Sequence, residues 1–261
     1  MRYIFQSKDH LVQIMRNIRI SHHQKNPLYL ALIRYKGNLM KAMILAAGRG
    51  ERMRHLTDGI PKPLLKIGDH ALIEHNIMRL AIAGIEEIVI NTAYYADQIK
   101  SHLGDGSQFD VSISYSEEGA EPLGPGGGIV NALPLLGDKH FILMAADIWS
   151  SFPIETLLDK TDHLTHLVMT ENPDFHSEGD YGITDGLLTH DAPKLTYAGY
   201  SVWHPALFND HMPGDAIELS PFIDKAIDLK AATAEQYVGN WHNIGTPEQL
   251  QYLNENPNKP H

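Results

Sequence analysis

The feature that most constrains this chain is an apolar run that ends in a glycine turn. Residues Ala42 to Ala47 carry no charge and break into Gly48-Arg49-Gly50. A short uncharged run of this kind reads as a strand buried on both faces, as in a parallel sheet. Two glycines let the backbone turn sharply and approach a ligand with no Cβ in the way. Such a turn gathers several N–H groups in one concavity, which suits a phosphate. Arg52 follows just past the turn, and Lys62 is held between Pro61 and Pro63, which restrict the backbone on both sides. A forked arginine donor and a point-charge lysine beside the turn make a cradle for a polyphosphate. Two commoner readings fall away. Position 53 is Met where a dinucleotide fingerprint needs its third glycine, and no Gly-Lys-Ser/Thr follows as in a P-loop.

The rest of the chain alternates strand and helix patterns. Ala71 to Ala83 has apolar residues at helical spacing and is closed by Gly84, and Ala96 to Leu103 is a shorter helix stopped by Gly104. Glu87 to Asn91, Val111 to Tyr115, Phe141 to Asp147 and His166 to Thr170 read as strands. This rhythm predicts an α/β fold with a mostly parallel sheet and helices on both faces. The run Gly126-Gly127-Gly128 opens the amphipathic stretch Ile129 to Leu136. It reads either as a second close-approach loop at a helix N-terminus or as a flexible surface loop. Asp147 ends an apolar strand on the sheet edge where ligands bind, and is a candidate Mg²⁺ ligand; the competing reading is a cap or turn aspartate. Further on, Tyr181 to Leu188 and Lys194 to Trp203 read as two strands, Leu219 to Leu229 as a helix and Tyr237 to Ile244 as a last strand. Thr246-Pro247-Glu248-Gln249 is a helix start with Thr as N-cap, Pro in the first turn and Gln three residues after the cap.

Composition narrows the function classes. The 261 residues suffice for one large α/β domain, and the formal charge of −11 disfavours general nucleic-acid binding. The lack of cysteine excludes disulfides, thiolate metal sites and cysteine nucleophiles, and fits a reducing, cytoplasmic setting. Sixteen histidines are many, yet none forms a His-x-x-x-His pair inside a metal motif; His22, His23, His163 and His166 read as surface or packing residues. Charge is uneven: residues 1–39 hold seven Lys/Arg against Asp9 alone, leaving 14 basic and 31 acidic residues beyond. The apolar patch Leu28 to Ile33 is far short of the about 20 residues that span a membrane, and the segment lacks signal-peptide order. The expectation is that Met40 is the natural start and residues 1–39 are an over-read or a dispensable arm. The rival is a basic arm that contacts a partner or an anionic surface.

The combination Leu45-Ala-Ala-Gly-x-Gly-x-Arg-Met, then Leu56-Thr57, then Pro61-Lys62-Pro63-Leu64 resembles the signature of sugar-1-phosphate nucleotidyltransferases. From Met40 to about Leu253 later motifs resemble the uridylyltransferase branch that acts on N-acetylmuramate 1-phosphate. These include Ala83-Gly84-Ile85, Asp147-Ile148-Trp149, Gly179-Asp180-Tyr181-Gly182 and Ile244-Gly245-Thr246-Pro247. The resemblance implies one nucleotide-diphospho-sugar transferase domain over residues 40–261, with a small β-rich sugar-binding part. It implies an in-line displacement in which the sugar-1-phosphate oxygen attacks the α-phosphate of UTP and pyrophosphate leaves, with no protein nucleophile. By residue, it implies that Gly48, Gly50, Glu51 and Arg52 hold the triphosphate and that Lys62 reaches the α-phosphate and the incoming sugar phosphate. Leu45, Ala46, Ala47, Glu118 and Gly126 would read the uracil. Asn172, Asp180, Tyr181, Gly182 and Gly199 would line the sugar side. Mg²⁺ would sit on Asp147 and Asn243. The chain departs from the family pattern at Ala145-Ala146 (usually Asn-Gly), Asn243 (usually Asp), Gly124-Pro125 (usually Glu-Thr) and Glu218, where a basic residue is expected near the sugar. A transferase for another hexose 1-phosphate, and a nucleotide-sugar-binding relative with weakened catalysis, stay open as alternatives.

Overall fold

The computed structural model describes residues 40–119 and 122–256, together with Ile33 and Gly37. The expectations about the basic arm fall, for its other residues, outside the described residues. The apolar run forms β1 (Lys41–Leu45), buried along Ala42, Met43 and Ile44. A 3-10 turn (Glu51–Thr57) and a second one (Lys62–Leu64) lead into a small hairpin, β2 (Lys66–Ile67) and β3 (His70–Ala71). Then follow α1 (Leu72–Ile82), β4 (Glu87–Thr92), α2 (Ala96–Leu103), β5 (Ser112–Glu117), α3 (Gly124–Leu136), β6 (Phe141–Ala145) and β7 (Ile148–Ser150). The later part comprises β8 (Thr165–Thr170), β9 (Tyr181–Thr184), β10 (Leu187–Thr189), β11 (Lys194–Trp203), α4 (Ser220–Asp228), β12 (Ala232–Gln236), β13 (Trp241–Asn243) and α5 (Pro247–Glu255).

Nine strands make one sheet in the order β5-β4-β1-β6-β11-β8-β12-β10-β9. The first four are mutually parallel, as the buried runs require. Beyond β6 the sheet turns mixed: β11 runs antiparallel to both β6 and β8, β12 is parallel to β8, and β9 and β10 are antiparallel neighbours. The expected mostly parallel sheet is therefore corrected to a mixed one. The β-rich later part continues the same sheet through β11. Alternate residues of β1 face opposite layers. Ala42 and Ile44 join α1 and α2 on one side, and Met43 joins α3 and α4 on the other, so helices cover both faces.

Two strand expectations change. The apparent strand Tyr181 to Leu188 is a hairpin, β9 and β10, turning at Asp185-Gly186 with both residues at positive φ. The last strand shrinks to Trp241–Asn243, which pairs with β7, while β12 precedes it with a polar sequence and a parallel partner. The helix start at Thr246 forms as expected: Thr246 Oγ1 accepts from the Gln249 N–H at 3.3 Å and Gln249 Oε1 accepts from the Thr246 N–H at 3.0 Å. A third apolar cluster packs Met53, Leu65, Ile67 and Leu72 against Leu250 and Leu253. Helix α5 thus anchors the two loops that carry Arg52 and Lys62.

Candidate active site

The strand-end turn, the Lys62 loop and the end of β6 meet around a cleft of about 510 Å³. Leu45, Ala46, Ala47, Gly48, Gly50, Glu51 and Arg52 line it from β1 and its turn, Lys62 and Pro63 from the proline loop, and Asp147 from the end of β6. Gly50 has φ +65, and a Cβ there would stand 2.8 Å from Lys62 Cβ, so the turn and the lysine loop are in direct contact. Thr57 Oγ1 closes the same turn by donating to the Gly50 carbonyl at 3.2 Å. Arg52 is exposed and its guanidinium lies against Gly245, where a Cβ would stand 3.3 Å from Nη2.

Lys62 Nζ donates to Asp147 Oδ2 at 2.6 Å, with the lysine side chain only 12% exposed and the aspartate 31%. Asp147 is not the last strand residue. It sits in the turn between β6 and β7, its carbonyl accepting from the Ile244 N–H at 2.9 Å. The β7–β13 ribbon places Asn243 opposite Ile148, next in chain to Asp147. Asn243 Oδ1 is buried with no hydrogen-bond partner among the described residues, and Asn243, unlike Asp147, is not part of the cleft lining. A carboxylate and an unused amide oxygen are hard oxygen donors, which suit Mg²⁺, an ion that completes its shell with water and substrate phosphates. The residues present therefore fit such an ion.

Asn91, at the end of β4, was not singled out by the sequence reading yet organises the nucleotide side. Its Oδ1 accepts from the Ala46 N–H at 2.8 Å, and its Nδ2 donates to Glu118 Oε1 at 2.5 Å. The other carboxylate oxygen of Glu118 accepts from the Leu123 N–H at 2.8 Å. Both Glu118 oxygens and the Ala46 N–H, just past β1, are thus already engaged within the protein. The signal was present: a polar residue ending a buried apolar run, the same signal that marked Asp147.

The glycine run is a rigid helix start whose glycines admit other parts of the chain. A Cβ on Gly126 would stand 2.5 Å from the Glu218 carbonyl, and one on Gly128 would stand 2.5 Å from Glu118 Oε1. Gly126 itself is buried and does not line the cleft, whereas Gly124 and Pro125 do. Glu218 accordingly packs by the Gly124 loop, its Oε1 3.5 Å from where a Gly124 Cβ would be.

The residues expected on the sugar side are not part of the cleft lining, and each is held by neighbouring segments. Asn172 Nδ2 donates to the Ser177 and Lys194 carbonyls at 3.1 and 3.0 Å, and its Oδ1 accepts from Thr196 Oγ1 at 2.9 Å. Asp180 accepts from the Tyr197 N–H at 2.7 Å and pairs with His176 at 3.0 Å. Tyr181 donates to Asp224 Oδ1 at 3.1 Å; burial and then Asp224 push its pKa up, so the phenol stays a donor. Gly182 lies under the Asp191 carbonyl, and Gly199 sits in the irregular part of β11 against Ile148 and Ala145.

A glycine turn, a lysine–aspartate pair and an arginine at the carboxyl ends of parallel strands define an α/β protein built to handle a polyphosphate. The chain belongs to the nucleotidyl transferase family, which it matches over residues 41–186. It is 38% identical over 221 residues to the N-acetylmuramate alpha-1-phosphate uridylyltransferase of Neisseria meningitidis serogroup B, covering 81% of this chain and 96% of that protein. The enzyme of the same name from Caulobacter vibrioides is 31% identical, over 79% of this chain and 92% of its own. Among solved structures, a UDP-glucose pyrophosphorylase complexed with UDP-glucose has the same fold, with a TM-score of 0.68 at 20% identity, covering 83% of this chain and 97% of that one. No helix of the described residues is long and apolar enough to cross a membrane.

Proposed function

We propose that this protein transfers a uridylyl group from UTP to N-acetylmuramate 1-phosphate, giving UDP-N-acetylmuramate and pyrophosphate, in the recycling of cell-wall sugars. The observation that carries this reading is the Lys62–Asp147 pair in a cleft that also holds Arg52 and the Gly48–Gly50 turn. The two relatives of that name, each matched over most of its length, support the choice of sugar and base.

In the proposed reaction a phosphate oxygen of the sugar 1-phosphate forms a bond to the α-phosphorus of UTP. The bond from that phosphorus to the bridging oxygen breaks, and pyrophosphate leaves with the electron pair. The protein's work is positioning and charge neutralisation. The N–H groups of the turn cradle the triphosphate, Arg52 meets the charge growing on pyrophosphate, and Lys62 holds the α-phosphate and the incoming phosphate together. Asp147 keeps Lys62 aimed before substrate arrives. Mg²⁺ held by Asp147 and Asn243 would supply further neutralisation of phosphate oxygens when bound. Asn172, Asp180, Tyr181, Gly182 and Gly199 support the wall around the sugar.

The test is pyrophosphate release with UTP, Mg²⁺ and N-acetylmuramate 1-phosphate, beside a panel of GTP, dTTP and other hexose 1-phosphates. Release is expected with UTP and this sugar. No release with UTP and any hexose 1-phosphate would overturn the reading, and a preference for GTP or dTTP would overturn the base assignment. The neutral amide at Asn243 favours a second reading, a nucleotide-sugar binder with weakened turnover. In that case UTP raises the melting temperature without product, and Asn243→Asp restores turnover.

A further inference from the structure

Helix α1 carries a buried amide among its apolar residues. Asn76 is fully buried, among Ile73, Ile77 and Leu80, in the apolar layer against the sheet. A buried amide in such a layer is costly unless it is paired. Its Nδ2 donates to two consecutive carbonyls, Ala145 at 3.2 Å and Ala146 at 3.3 Å, while its Oδ1 has no partner among the described residues. The amide orientation follows from chemistry, since two carbonyl acceptors can face only the NH₂ end.

Those carbonyls sit where β6 stops, at its last residue Ala145 and the one after it. On the other side of the same segment, the Ala146 N–H donates to the Leu45 carbonyl at 3.0 Å. The Ala145–Ala146 peptide is therefore clamped from β1 and from α1, the Ala146–Asp147 peptide from α1 alone, and the one leaving Asp147 by the Ile244 N–H. Between these clamps stands the carboxylate that meets Lys62 at 2.6 Å.

We propose that Asn76 is a positioning residue: its amide fixes the Ala145–Ala146 backbone so that Asp147 presents its carboxylate to Lys62 and to a divalent cation. This rests on the transferase reading above. Asn76 touches no substrate and acts through Asp147, as outer-shell partners of metal ligands do.

The test compares wild type with Asn76→Leu, which keeps the volume and removes the donor, and Asn76→Asp, which keeps the shape and turns the NH₂ into an acceptor. The probe is Mn²⁺, titrated by electron paramagnetic resonance with and without UTP, beside thermal melting and turnover. In both variants Mn²⁺ is expected to bind about 10- to 100-fold more weakly in the UTP complex, the range typical of outer-shell changes. Metal-free UTP binding is expected to hold, and both variants are expected to stay folded, with Asn76→Leu melting somewhat lower because two carbonyls lose their donor. Unchanged Mn²⁺ affinity in folded variants would overturn the proposal. So would failure of both to fold, which would assign Asn76 to the fold alone. A wild type that releases no pyrophosphate would strike the transferase reading instead, leaving the Mn²⁺ comparison to decide the role of Asn76.

Discussion

The two halves of the sheet spend their polar side chains differently. In the β5-β4-β1-β6 half, parallel strands end together, and the residues past their ends point Lys62, Asp147 and Arg52 into a shared cleft. In the β11-β8-β12-β10-β9 half, Asn172, Asp180 and Tyr181 bind the carbonyls, N–H groups and side chains of neighbouring segments. Parallel strands leave loops on one edge as a ready ligand site. The mixed half brings its strand ends out on both edges and uses polar residues to tie its turns. The first half thus lines the cleft with charged side chains, and the second half holds its polar side chains within its own turns.

The largest effect that could break this contrast lies at Lys62. Lys62→Met removes the cation beside Asp147 while keeping the stem that packs under Gly50. Turnover is expected to fall by about 10²- to 10³-fold, the cost typical of losing one preorganised charge-stabilising donor. The melting temperature should change little, because the lost ion pair is replaced by an aspartate that water can reach. A loss under tenfold in pyrophosphate release would mean that the pair is a structural tie, and the contrast between the halves would vanish.

The second half gives the next largest effect, of a different kind. Asp180→Ala removes a carboxylate that accepts from the Tyr197 N–H at 2.7 Å and from His176. Removing a charged acceptor from a part-buried backbone donor costs about 1–3 kcal/mol. The expected outcome is a lower urea midpoint, with the KM for the sugar phosphate changing in step with stability. A KM rise at unchanged stability would place Asp180 in contact with sugar and make the second half a binding site in its own right.

What was legible in the sequence follows the same division. The Gly48–Gly50 turn and the Pro61-Lys62-Pro63 loop are local signals, each complete within a few residues, and both line the cleft. Asn91 carried a local signal, a polar residue ending an apolar run, but its partner Ala46 lies 45 positions away; Asn76 carried none, its nearest partner lying 69 positions away, and only the tertiary fold brings either pair together. The direction of β11 was hidden for the same reason, since a fully buried strand reads alike whichever way it runs. Strand β12, Ala-Thr-Ala-Glu-Gln, has a weak pattern of its own and is fixed by its parallel pairing with β8. The Asp185-Gly186 turn was there to be read, as Asp-Gly between apolar residues is a strong hairpin signal. It was covered by the longer apolar pattern from Tyr181 to Leu188.

The smallest effect separates the halves by pH. His75, on α1 under the first half, has its pKa lowered, chiefly by burial, with His70 and Arg79 adding to that and the Ile67 carbonyl and Glu74 opposing it. In the second half Glu235 has its pKa lowered, chiefly by its hydrogen bond from His166 and by Lys160. The signs give different windows. Unfolded His75 takes up a proton near pH 6.5 that the folded state refuses, so its contribution is full above that pH and is lost as pH falls below it. Glu235 stabilises the fold above the ordinary carboxylate range and loses that contribution only as pH falls through its lowered pKa. Between pH 7.5 and 5.5 the urea midpoint should therefore fall through His75 while Glu235 stays silent. The slope from His75 can reach at most about 1.4 kcal/mol per pH unit, the value for one proton. His75→Leu should flatten the pH 7.5-to-5.5 difference, and Glu235→Gln should lower stability about equally at both values. A wild-type midpoint that stays level over this range would show that His75 is protonated in the folded protein, and with it that the layer under α1 admits charge, which the burial of Asn76 beside it argues against.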